Sequence, residues 1–148
     1  MNKCLISAAL SVLLIIPCLA GCALKGGVSQ VDPERQRQDI KFFVKVATRI
    51  ALHEFKPNRG DLEVISAYVE VARDLLSEPD CPDIGGLRDL AEQYLPEEHK
   101  IIGFTILDVI ERYVISIVDP TEEQELASKL IAAGLTGALE AVEEYQSR

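Results

Sequence analysis

The chain has 148 residues, 48% of them hydrophobic, with a formal net charge of −9, four cysteines and no tryptophan. That length suits one domain, because two would each be too small to bury an adequate core. A charged fraction of 26% with ordinary Gly and Pro contents excludes wholesale disorder and fibrous repeats, and the acidic balance argues against a phosphate-binding surface of the nucleic-acid kind.

The averages combine two unlike segments. Residues 1–21 (MNKCLISAALSVLLIIPCLAG) hold fifteen hydrophobic residues and one charge, Lys3. From Cys4 to Leu24 no residue is charged, a run long enough to span a bilayer as a helix. A retained membrane anchor and a cleaved signal peptide therefore compete. The order here is a short positive start, an apolar run from Leu5 to Ile16, the helix breaker Pro17 and then small residues, and it favours export and cleavage.

Leu19-Ala20-Gly21-Cys22 then resembles the lipobox of bacterial lipoproteins. The resemblance covers the whole N-terminal segment and says nothing about residues 32–148. It implies that the Cys22 thiol receives a diacylglycerol, that the chain is cut between Gly21 and Cys22, and that the new amino group is acylated in turn. One acyl chain holds a protein to a bilayer only marginally, whereas two or three make attachment effectively permanent. In Gram-negative lipoproteins an Asp after the cysteine retains the protein at the inner membrane. Ala23 in that place implies the outer membrane, periplasmic side. The expected organisation is signal peptide 1–21, lipidated tether 22–31 and helical domain 32–148.

The cysteine count resolves on this reading. Four cysteines in an exported protein suggest two disulfides, but Cys4 and Cys18 leave with the signal and Cys22 is taken by lipid. Cys81 is left without an intramolecular partner, and its neighbours Asp80 and Asp83 disfavour a thiolate. Charge is divided as well. Residues 22–60 carry eight basic and four acidic side chains, whereas Asp61 onward has six basic and twenty acidic. The membrane-proximal part can lean on anionic lipid while the rest faces outward; the plainer alternative is two ordinary solvated helix faces.

Ala23 to Val31 reads as a flexible tether reaching about 17 Å. Asp32-Pro33-Glu34 opens a helix, with a capping carboxylate, a proline in the first turn and an acid near the positive end. Ile40, Phe43, Val44, Ala47, Ile50 and Ala51 form its buried face, and Lys56 to Gly60 ends it. A second helix is expected from Asp61 to Leu76, facing inward with Leu62, Ile65, Val69, Ala72 and Leu76. Ser77 to Gly86 is expected as a loop, Leu87 to Leu95 as a short helix stopped by Pro96.

Glu97 to Val118 is rich in Ile and Val, which suits strands. Yet Ile102, Ile106, Val109, Ile110, Tyr113 and Ile117 share one helical face while Asp108, Glu111, Arg112 and Ser116 share another, and a helix fits better. The last helix opens at Thr121-Glu122-Glu123-Gln124, which has capping-box spacing, and runs towards Tyr145. Leu126, Leu130, Ile131, Leu135, Ala138 and Val142 form its apolar side, made small by Ala133, Gly134, Gly137, Ala138 and Ala141. That side suits either self-association or tight packing against the Ile-rich helix. The expected fold class is all-α, a small bundle of about four to five helices.

Little in the sequence carries chemistry. His53 and His99 are the only histidines and neither has metal-ligand spacing. His53 is expected as a partly exposed end-of-helix residue, His99 as part of an exposed helix start. There is no nucleophile elbow, P-loop, dinucleotide fingerprint or cysteine pair. Glu97-Glu98, Glu122-Glu123 and Glu143-Glu144 read as helix-end and surface charges, the first two favoured there by the helix dipole, and eight aromatics without Trp argue against a sugar-stacking site. No catalytic residue, metal ligand or cofactor is expected, nor a nucleic-acid partner.

The expectation is a non-catalytic envelope lipoprotein whose helical domain binds another protein, a type that resembles phage or prophage products modifying surface receptors. The alternatives are a periplasmic module holding a small apolar or lipid ligand between helices, and a hydrolase with an unrecognised site.

Overall fold

Asn58 and Asp61 show how local chemistry sets the elements. The Asn58 side chain accepts from the Asp61 N–H at 3.1 Å while Asp61 accepts from the Asn58 N–H at 2.8 Å, a reciprocal capping box. It starts a helix at Arg59, two residues earlier than the apolar pattern alone places it. A computed structural model describes residues 32–77, 82–119 and 123–148. Those residues form an all-α bundle of five helices: α1 (Pro33–Phe55), α2 (Arg59–Leu75), α3 (Ile84–Tyr94), α4 (Glu97–Ile117) and α5 (Gln124–Gln146).

Each boundary has a chemical cause. Lys56 takes a left-handed φ of 47° and its N–H bonds back to the Leu52 carbonyl at 2.9 Å, closing α1 just before Pro57. Asp83 caps α3 by accepting from the Gly86 N–H at 2.8 Å. Gly85 and Gly86 therefore belong to the first helical turn and not to the loop expected from their flexibility. Pro96 separates α3 from α4, and Glu97 and Glu98 occupy the first turn of α4. The capping box expected at Thr121 lies outside the described residues; Gln124 is the first residue of α5, preceded by Glu123 without a side-chain cap.

Residues 33–148 fold as one compact unit. α1 lies parallel to α5, with Lys41 beside Gly137 and Arg49 beside Glu144. α2 lies parallel to α4, with Asp61 beside His99 and Tyr68 beside Gly103. Both α1 and α2 pack on α4 and α5, and α3 lies against α4 and α2. The centre is filled by Ile106, Ile110, Leu130 and Leu135, all fully buried.

The small side of α5 is consumed inside the bundle. A Cβ on Gly137 would collide with the backbone carbonyl of Lys41, and one on Gly134 would sit 2.8 Å from Ile110 and 3.3 Å from Val44. Gly137 lets α1 approach backbone to backbone and Gly134 makes room for the Ile110 and Val44 side chains, which offsets their poor helix propensity of about 1 kcal/mol each. Tight packing thus explains the stripe, with α1 as the closest neighbour and the Ile-rich α4 second. Among the described residues no helix is long and apolar enough to cross a membrane.

Candidate functional site

The charged side chains between α1 and α5 are engaged in holding the helices. Lys41 pairs with Glu140 at 2.5 Å, and Lys45 reaches both Glu140 at 3.1 Å and Glu144 at 2.6 Å. Arg49 completes the ladder on Glu144. The cations hold the Glu140 carboxyl below the usual range, the Lys41 hydrogen bond contributing most against the opposing cost of burial. Three of the eight basic side chains of residues 22–60 are thereby matched within the bundle, which reduces what that region presents outward.

His99 is not the exposed residue its charged neighbours suggest. It is buried, and its Nε2 lies 3.0 Å from Asp61 Oδ1. Asp61 therefore serves twice, capping α2 with one oxygen and meeting the start of α4 with the other. His53 lies exposed near the end of α1, as its position predicts. The two histidines are on separate elements, and among the described residues no group of three or more His, Cys, Asp or Glu could hold a metal ion. Gly21, Cys22, Cys81 and Glu122 lie outside the described residues.

A cluster not anticipated from sequence joins α3 to α4. Arg88 reaches Asp108 at 2.5 Å and Glu111 at 2.7 Å, and these bonds, that to Asp108 foremost, hold its charge firmly. The signal was present as two acids spaced three apart on α4 and one arginine on the neighbouring short helix. Close by, the Tyr68 hydroxyl donates to the Leu87 carbonyl at 3.0 Å, and burial pushes its ionisation well above the ordinary tyrosine range. Tyr113 donates to the Gln36 carbonyl at 3.3 Å, and burial pushes its pKa up to about 12, aided by Asp39.

Two half-open grooves lie among the described residues. The first, about 440 Å³, lies where the start of α3, the end of α4 and the start of α5 meet. Ile84, Val114, Ile115, Ala127 and Ile131 give it an apolar floor, with Asp83 and Glu111 at its walls. Ile115 is 61% exposed there, unusual for a large aliphatic side chain on a helix with so many buried neighbours. The second, about 380 Å³, runs between the C-terminal parts of α1 and α5 and is lined by Arg49, Ile50, His53, Glu54, Tyr145 and Arg148. Groove one offers an apolar surface with an acidic wall; groove two is mixed in charge. The chain matches no known protein family, no curated protein and no solved structure.

Proposed function

We propose that this chain is a lipid-anchored protein of the bacterial envelope, attached through acyl chains on Cys22, and that its helical domain acts without catalysis by binding another protein. The observation that carries the anchor is Leu19-Ala20-Gly21-Cys22 placed directly after a positively charged start and an uncharged apolar run. The docking part is supported by the groove at Ile115, whose apolar floor and acidic rim suit an apolar side chain flanked by cations on the partner. Ala23 favours the outer membrane, periplasmic side.

The same groove gives weight to a second reading, a module for a small apolar ligand, because about 440 Å³ falls in the range of small-molecule sites. The two separate in one experiment. A photo-reactive residue in place of Ile115, irradiated in intact cells, is expected to give a discrete covalent adduct with one protein, identified by mass spectrometry. Adducts confined to small molecules or lipid would replace protein binding with the ligand reading.

A further inference from the structure

We draw no further inference here: the strongest candidate, the exposed apolar stripe of Phe42, Val46 and Ile50 on α1, rests on an apolar face alone, and nothing in the structure shows what covers it.

Discussion

The α1–α5 seam and the α2–α3–α4 side are fastened by different means. Along the first, Gly137 brings the backbones together and half-buried ion pairs run beside the contact. Along the second, buried or half-buried polar links tie particular atoms: His99 to Asp61, Tyr68 to the Leu87 carbonyl, Arg88 to Asp108 and Glu111. A backbone contact cannot yield to added volume, whereas a polar link cannot tolerate loss of its partner. The seam should therefore fail on enlargement and the other side on deletion.

The sharpest break comes from alanine at two glycines. Gly137→Ala is expected to cost about 3 kcal/mol, since the new methyl meets the Lys41 carbonyl and the helices must separate. Gly103→Ala also creates an overlap, 2.6 Å to Leu95 Cδ1, but with the movable end of a side chain. Gained helix propensity offsets part of that cost, leaving a net change within about 1 kcal/mol. Urea denaturation measures both, and equal losses would contradict the backbone account of the seam.

Deletion on the other side comes next. Tyr68→Phe keeps the ring against Gly103 but leaves the Leu87 carbonyl without its donor, with an expected loss of about 1.5 kcal/mol. An unchanged denaturation midpoint would show that water replaces the hydroxyl.

These contrasts also explain what could be read from sequence. All five apolar residues expected to face inward from α2 are buried, because its partners leave an ordinary amphipathic arc. On α1 the arc is turned: Ile50 is exposed, while Leu52 and Thr48 are fully buried. The cause is Gly137, which draws in the side of α1 that carries Lys41, Lys45 and Thr48, residues that look solvent-facing in any hydropathy pattern. His99 was hidden for a related reason. Its neighbours in sequence are charged, and the partner that makes burial tolerable, Asp61, comes from a helix two elements earlier. Of the proposed sites, the anchor was legible as a local motif. The Ile115 groove was not, because it is assembled from three helix ends.

Acid should act on the seam. The Glu140 carboxyl is held low by Lys41 and Lys45, so the unfolded chain takes up its proton first as pH falls. The associated stability is present above the ordinary glutamate range of about 4.3 and is lost as pH drops through the lowered value. Glu140→Gln is expected to flatten that acid limb in thermal melts at stepped pH. At the other extreme, Tyr68 and Tyr113 keep their protons to higher pH than in the unfolded chain. Their contribution is complete below about 10 and declines above it. The smallest effect is expected where neither mechanism operates: Lys129→Ala removes an exposed pair with Glu125 and should leave the urea midpoint unchanged.

The functional account depends above all on Cys22. Metabolic labelling with an alkyne fatty acid, comparing the unaltered chain with Cys22→Ser, tests it most directly. The account predicts a labelled, shortened protein in the first case and an unlabelled, uncleaved precursor in the second. Equal labelling of both chains, or the absence of label from the unaltered one, would contradict it.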